Sequence, residues 1–205
     1  MKAVLAAAVF AVACTCFAAS GKNRTWPSPS GEYVIEEYPA RGSNEQYFLV
    51  NKKTGVRQKI EPLMKRTMTK FYIERVIWAS DGNAFAYICF WGTKMNGVVV
   101  CKRDKSGFLK NIRPVNFLEL EKWREKQEGK KEGLSQEILG TWRENNVLAL
   151  GFIKFLADDY ETSLILTYDL RISGTTAQAV NFSRAGVLSS KKSQQWMERW
   201  EKTTK

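Results

Sequence analysis

The chain has 205 residues, of which 44% are hydrophobic and 12% aromatic, and it carries 32 basic residues, 21 acidic residues and no histidine. This length and composition predict one globular domain with a sizeable core and exclude a disordered chain. The lack of histidine excludes the Ser-His and Cys-His nucleophile pairs and the most usual transition-metal ligand. Most enzyme classes are therefore disfavoured.

The first twenty residues have the pattern of a secretory signal peptide. Lys2 supplies a positive charge, residues 3–13 form an apolar run, and Ala18 and Ser20 offer small residues for cleavage. We therefore expect an exported protein, periplasmic or secreted, whose formal net charge falls from +11 to +10 when Lys2 is lost. A buried N-terminal helix is one alternative. Lipidation at Cys14, which would attach the protein to a membrane, is another.

Three segments of the remaining chain repeat one pattern of turns and apolar runs. Between the turns lie short runs rich in Val, Ile, Tyr and Phe, which are typical of strands. The pattern predicts three antiparallel β meanders, over residues 26–62, 68–113 and 140–183. The paired turn residues are Gly31 and Gly55, Gly82 and Gly107, and Asn146 and Gly174, and the tryptophans near the head of each segment are Trp26, Trp78 and Trp142.

Residues 78–86 of the second segment read Trp-Ala-Ser-Asp-Gly-Asn-Ala-Phe-Ala. They resemble the Trp-Ser-Pro-Asp-Gly-Lys signature of TolB-type and WD-like β-propeller blades, as do residues 28–33, and Lys53-Thr54-Gly55 resembles a turn between later strands of such blades. The resemblance implies an all-β domain over residues 21–188, either propeller-like or open and curved. A closed propeller usually has at least about four blades, so exposed sheet edges would invite a partner chain or a second copy.

Two helices are predicted outside the meanders. One lies in an insertion over residues 115–139, and the other covers residues 189–205 at the C-terminus. Each has an apolar stripe that should pack on a sheet, although a partner-binding face is the alternative for the C-terminal helix. The stripes are Phe117, Leu120 and Trp123 in the first helix and Trp196 and Trp200 in the second.

Cys89 and Cys101 lie in the two apolar runs of the second segment. In an oxidising compartment a disulfide between them is expected, and it would contribute about 3 kcal/mol by the chain-entropy model. A hairpin centred on Met95 would place the two cysteines opposite each other. A two-residue turn at Asn96-Gly97 would instead put them out of register.

Charged residues cluster at several places in the chain. If the meanders lie side by side, two basic groups could merge at a shared rim and bind an acidic protein or envelope component rather than nucleic acid; protection of outer strands against aggregation is the alternative. An acidic trio is a weak candidate for a hard cation, although a solvated loop explains it better, and no cofactor is expected. Glu36 and Glu37 are interpreted as surface charge. The basic groups are Lys52, Lys53 and Arg57, and Lys102, Arg103 and Lys105; the acidic trio is Asp158, Asp159 and Glu161.

These patterns together predict an exported, non-catalytic binding module that recognises an acidic envelope protein. An inhibitor- or immunity-type role is one form of such a function. A carboxylate-dependent hydrolase is the first alternative, and it would need two acids about 5–10 Å apart in a cleft. A lipidated envelope scaffold is the second alternative.

Overall fold

The computed structural model describes residues 23–39, 45–60, 71–91, 95–104, 109–112, 114–128, 133–144, 146–156 and 162–202. These residues form twelve strands and two helices. The strands are β1 (Thr25–Pro27), β2 (Tyr33–Tyr38), β3 (Gln46–Asn51), β4 (Arg57–Lys59), β5 (Phe71–Trp78), β6 (Ala84–Trp91), β7 (Met95–Arg103), β8 (Leu109–Ile112), β9 (Gly133–Glu144), β10 (Val147–Leu156), β11 (Thr162–Ser173) and β12 (Thr176–Ser189). The helices are α1 (Phe117–Glu128) and α2 (Ser190–Lys202).

The strands form three four-stranded antiparallel sheets, and within each sheet the strands follow one another in chain order. Sheet A contains β1–β4, sheet B contains β5–β8 and sheet C contains β9–β12. The predicted all-β fold with one internal and one C-terminal helix is confirmed. The internal helix is shorter than the predicted insertion, because β9 begins at Gly133 and pairs with β10 as far as Leu156.

The tight turns of sheets A and B lie side by side. Gly31 and Gly82 adopt φ values of 72° and 68°, in the left-handed region that favours glycine. A Cβ atom on Gly82 would lie 3.8 Å from Cβ of Ser28, in the turn between β1 and β2. The β1–β2 and β5–β6 turns therefore share one end of the molecule.

The sheets stack in the order A, B, C, with α2 as a fourth layer. Residues of sheet A such as Ile35 and Leu49 share one hydrophobic cluster with Phe85 and Tyr87 of sheet B. The opposite face of sheet B packs on sheet C, and α2 packs on the far face of sheet C. Residues 84–89 are each at most 2% exposed, so β6 is covered on both faces, as its continuous apolar run predicts. Among the described residues no hydrophobic cluster joins sheet A to sheet C.

A tryptophan in each of the later sheets bonds to the backbone of the preceding sheet. Nε1 of Trp78 in sheet B donates to the carbonyl oxygen of Trp26 in sheet A at 3.2 Å. Nε1 of Trp142 in sheet C donates to the carbonyl oxygen of Ile77 in sheet B at 3.0 Å. The same inter-sheet hydrogen bond thus occurs at both seams of the stack.

Trp26 is not the counterpart of the other two tryptophans. Trp78 precedes its turn residue Gly82 by four positions, whereas Trp26 precedes Gly31 by five. The position in sheet A that matches Trp78 is occupied by Pro27, which has no side-chain donor. Sheet A therefore supplies a backbone acceptor to the following sheet, and its position equivalent to Trp78 has no indole donor.

The predicted disulfide between Cys89 and Cys101 is wrong, because both are buried free thiols. In the β6–β7 hairpin Cys89 pairs with Gly97 and Cys101 pairs with Phe85, so the hairpin is centred two residues before Met95. The cysteines share a face but lie four residues apart along the strands, about 13 Å by the strand rise and beyond disulfide reach. Burial raises the pKa of the Cys89 thiol to about 12, and burial also raises the pKa of Cys101.

Candidate interaction surface

The second basic group is only partly available for binding. Cζ of Arg103 lies 3.8 Å from the ring centroid of Tyr33 in sheet A, and its Nη2 donates to Oδ1 of Asn83 at 2.8 Å. Arg103 therefore ties sheet B to sheet A. Lys102 is half-buried, and Lys105 lies outside the described residues. The merging of both groups into one free surface therefore stays a prediction, and the exposed cations of sheet A are its more accessible part.

The first basic group extends from the β3–β4 turn into the edge strand β4. Oδ1 of Asn51 accepts hydrogen bonds from the backbone N–H groups of Lys53 and Thr54, at 2.9 and 3.0 Å. This side-chain turn leads into Gly55 at a φ of 72° and leaves Lys52 and Lys53 exposed. We call the exposed cations of this turn and strand the basic edge: Lys52, Lys53, Arg57 and Lys59.

Two of these cations converge on one carboxylate on the outer face of sheet A, the side turned away from sheet B. Nη2 of Arg57 lies 3.7 Å, and Nζ of Lys52 lies 4.0 Å, from the carboxylate oxygens of Glu36. The Tyr38 hydroxyl donates to Oε2 of Glu36 at 2.6 Å. The side chains of Lys52 and Arg57 are 58% and 54% exposed, whereas that of Glu36 is 18% exposed. The cations thus remain open to a second carboxylate from solvent.

Aromatic rings hold part of this face in a defined shape. Cζ of Arg57 lies 5.1 Å from the ring centroid of Tyr38. The Tyr38 ring meets Phe48 edge to face, with centroids 5.5 Å apart. Val34 and Val50 lie between these groups and the turns and are each 6% exposed. The accessible chemistry of the outer face is therefore cationic and aromatic, a combination that suits acidic side chains.

The opposite end of the stack is closed by α2. The indole of Trp196 lies against Gly151, where an added Cβ atom would be 3.0 Å from Cη2 of the ring. The rings of Trp196 and Trp200 are 5.0 Å apart, and both pack on a cluster that includes Ile153 and Ile165 of sheet C. The aromatic stripe predicted for this helix is thus used inside the chain rather than presented as a free face.

A buried carboxylate is also bound on the far face of sheet C. Oδ2 of Asp169 accepts from Nδ2 of Asn181 at 2.8 Å and from Nη1 of Arg143 at 3.3 Å. Asn181 has a φ of 56°, an uncommon conformation for a residue other than glycine. The far face of sheet C thus combines the apolar cluster under α2 with this polar group at Asp169.

The seam between sheets A and B contains a pair of carboxylates that the sequence did not reveal as a pair. Glu37, interpreted above as surface charge, is 8% exposed because it lies on the inward-facing alternation of β2. Nε and Nη2 of Arg24 donate to its two oxygens at 2.8 and 2.7 Å. The Tyr47 hydroxyl lies 3.2 Å from Oε1 of Glu37 and 2.9 Å from Oε2 of Glu45, so it can donate to either.

Glu37 has the chemistry of one member of a structural ion pair with Arg24 rather than of a general acid. Burial raises the pKa of Glu37, but the hydrogen bonds and charge of Arg24 outweigh it and hold the pKa below its usual value. A carboxylic acid that protonates a leaving group needs a raised pKa instead. The bonds from Arg24 therefore favour a role for Glu37 in joining β2 to the chain before β1.

The predicted cation site and the predicted signal peptide both lie outside the described residues. Within the described residues no group of three or more His, Cys, Asp or Glu side chains is placed to hold a metal ion, but Asp158, Asp159 and Glu161 lie outside those residues. Residues 1–20, including Cys14, lie outside them as well. None of the described helices is long and apolar enough to cross a membrane.

Comparison with known proteins gives a likeness to solved structures alone. No protein-family model matches the chain, and no curated protein matches it. Among solved structures, TolB from Acinetobacter baumannii is similar over 78% of this chain at 7% sequence identity, with a TM-score of 0.30. The chain spans 44% of the length of that protein. A likeness at this level establishes no shared activity or partner.

Proposed function

We propose that the protein is an exported, non-catalytic binding module that recognises an acidic protein through the basic edge and the outer face of sheet A. The observation that carries this proposal is the difference between the two ends of the stack. Sheet C is covered by α2, whereas sheet A presents exposed cations around Glu36 and Tyr38. The signal-like pattern of residues 1–20 supports export.

The charge of the chain supports an acidic partner. Its formal net charge is +11, and positive proteins attract acidic surfaces from a distance in a salt-dependent way. The net charge alone does not specify which anion binds or which face of the protein it binds to. The basic edge adds a defined location, since Lys52, Lys53 and Arg57 lie within one turn and the short strand that follows it.

The experiment compares two variants that lose the same number of charges. One carries Lys52→Gln, Lys53→Gln and Arg57→Gln in the basic edge. The control carries Lys191→Gln, Lys192→Gln and Lys202→Gln, which are exposed residues of α2. Both are immobilised beside the unaltered protein, and acidic proteins are captured from an envelope extract at low and high salt.

We expect the unaltered protein and the α2 control to retain the same acidic protein at low salt and to release it at high salt. The basic-edge variant should retain about tenfold less, since several exposed charges act together. Equal loss in both variants would contradict a localised site. Retention that does not change with salt would contradict the electrostatic basis of the proposal.

A further inference from the structure

Sheet A contains two Arg–Glu pairs of very different geometry. Arg24 binds Glu37 through two hydrogen bonds at 2.8 and 2.7 Å, and the Glu37 side chain is 10% exposed. Arg57 stands 3.7 Å from Glu36, beyond the 2.7–2.9 Å of a charge-assisted hydrogen bond. The first pair is a fixed part of the fold, whereas the second is loose and reaches solvent.

The position of Glu36 is set by a tyrosine rather than by the cations. The Tyr38 hydroxyl donates to Oε2 of Glu36 at 2.6 Å. Lys52 and Arg57 lie farther away, at 4.0 and 3.7 Å, and each keeps more than half of its side chain exposed. The carboxylate therefore sits beside the cations without satisfying their hydrogen-bonding groups.

We propose that Glu36 is an internal competitor, a carboxylate that partly neutralises the basic edge until a carboxylate-rich segment of a partner protein binds there. Such a segment can approach Lys53 and Arg57 from solvent and form the short, paired hydrogen bonds that Glu36 does not form. This inference rests on the proposed function and adds the chemistry of the partner, which is clustered Asp or Glu side chains. It also assigns Glu36 a role in setting affinity.

Charge complementarity favours this occupant over a second copy of the chain. Two cations of the basic edge, Lys52 and Arg57, lie beside the carboxylate of Glu36, and Lys53 is exposed next to Lys52. Two copies would each carry a strongly positive formal charge, +11 for the full chain, and would repel at long range. Docking of the two ends of the stack on each other is also disfavoured, because α2 covers much of the far face of sheet C.

The test uses a fluorescently labelled oligoglutamate peptide as the probe and Glu36→Gln as the variant. Glutamine keeps a side-chain oxygen for Tyr38 and removes the competing charge. The control is Glu198→Gln, which removes one exposed charge from α2 and so matches the net charge. Thermal unfolding of all variants checks that the fold is unchanged.

We expect Glu36→Gln to bind the peptide about two- to fivefold more tightly than the unaltered protein, which is the effect of one surface charge. Glu198→Gln should bind as the unaltered protein does, and adding Arg57→Gln to Glu36→Gln should remove the gain. Equal affinity of the two single variants would overturn the competitor role while leaving the proposed function intact. If the peptide does not bind the unaltered protein at all, the proposed function itself fails.

Three further measurements separate the alternative occupants. The Glu36→Gln gain should be smaller for a sulfated polysaccharide and for vesicles of anionic phospholipid than for oligoglutamate. An equal or larger gain with either would overturn the assignment of a carboxylate-rich protein segment. Sedimentation of Glu36→Gln should show the same oligomeric state as the unaltered protein, and a new dimer would overturn it in favour of a second copy.

Discussion

The two ends of the sheet stack differ in what their outer faces present to solvent. At the sheet C end α2 places Trp196 and Trp200 on the sheet, and Asp169 is bound by Asn181 and Arg143. At the sheet A end a short edge strand presents cations around Glu36. A stack of repeats needs a polar or covered surface at each terminus to stay soluble. One end meets this need with a packed helix and the other with exposed charge.

This difference suggests that the sheet C end serves stability and the sheet A end serves recognition. Burying aromatic side chains under α2 removes apolar area from water and so stabilises the fold. Exposed ion pairs at the sheet A end contribute little to stability, yet they leave cations accessible to a partner. Substitutions at the sheet C end should therefore unfold the protein, whereas those at the sheet A end should change binding.

The largest effect is expected from Trp196→Ala. Removing this side chain leaves a cavity where the indole packs on Gly151. The free energy of unfolding should therefore fall by about 3 kcal/mol. Urea denaturation followed by fluorescence and circular dichroism measures the change. Leu118→Ala, at a side chain that is 74% exposed, is the control and should change the free energy by less than about 0.5 kcal/mol. Similar values for both variants would contradict the view of α2 as a packed cap.

A smaller and pH-dependent effect is expected from Glu37→Gln. Because Arg24 is 44% exposed, the loss of their ion pair should lower the free energy of unfolding by about 1–2 kcal/mol at neutral pH. The pKa of Glu37 is lower in the folded chain than in the unfolded one. Its stabilisation is therefore fully present above the ordinary glutamate pKa of about 4.3 and is lost as the pH falls through the folded value.

Urea denaturation of both proteins from neutral to acidic pH measures this dependence. The difference in unfolding free energy between the unaltered protein and Glu37→Gln should shrink as the pH falls below about 4. Glu36→Gln is the matched control on the same strand and should show little difference at any pH. A gap that stays constant with pH would mean that the ionised form of Glu37 does not provide the stabilisation.

Repeated patterns in the sequence predicted the sheets well because each pattern has a local physical cause. The turns at Gly31 and Gly82 have positive φ values, which glycine adopts without strain. The apolar run at residues 84–89 is continuous because this strand is buried on both faces. The cysteine pairing depended on the hairpin register, and a shift of the centre by two residues was enough to separate Cys89 from Cys101. Register is set by the turn geometry together with the face of the strand that is buried, and the residues between the two cysteines were compatible with more than one turn.

The sequence identified most basic residues of the candidate site but did not predict how they are arranged. Lys52, Lys53 and Arg57 were identified as basic side chains, whereas their relation to Glu36 required strand pairing between β2, β3 and β4. The alternation of β2 was the signal that could have separated Glu37 from Glu36, since neighbouring strand residues face opposite sides. Arg103 could not be assigned from sequence, because its aromatic partner Tyr33 belongs to another sheet.

The tryptophan hydrogen bonds between sheets lead to a third prediction, with an intermediate effect on stability. Trp78→Phe keeps most of the aromatic packing but removes the Nε1 donor to the carbonyl of Trp26. The free energy of unfolding should fall by about 1 kcal/mol, the usual contribution of one hydrogen bond. Trp142→Phe should have an effect of similar size, since Nε1 of Trp142 makes the equivalent bond to Ile77. Urea denaturation that shows no loss in either variant would contradict the tie between sheets.

The smallest effect on stability is expected at the basic edge. Arg57→Gln removes an ion pair of 3.7 Å at a side chain that is 54% exposed, which should cost less than about 0.5 kcal/mol. The variant also loses the cation–π contact with Tyr38, worth about 0.5–1 kcal/mol at the surface, so the free energy of unfolding should fall by about 1 kcal/mol or less. Binding of oligoglutamate should nevertheless weaken, because Arg57 supplies the paired donors for a carboxylate. A stability loss as large as that of Trp196→Ala would mean that both ends of the stack serve the fold and that the outer face of sheet A is not a recognition surface.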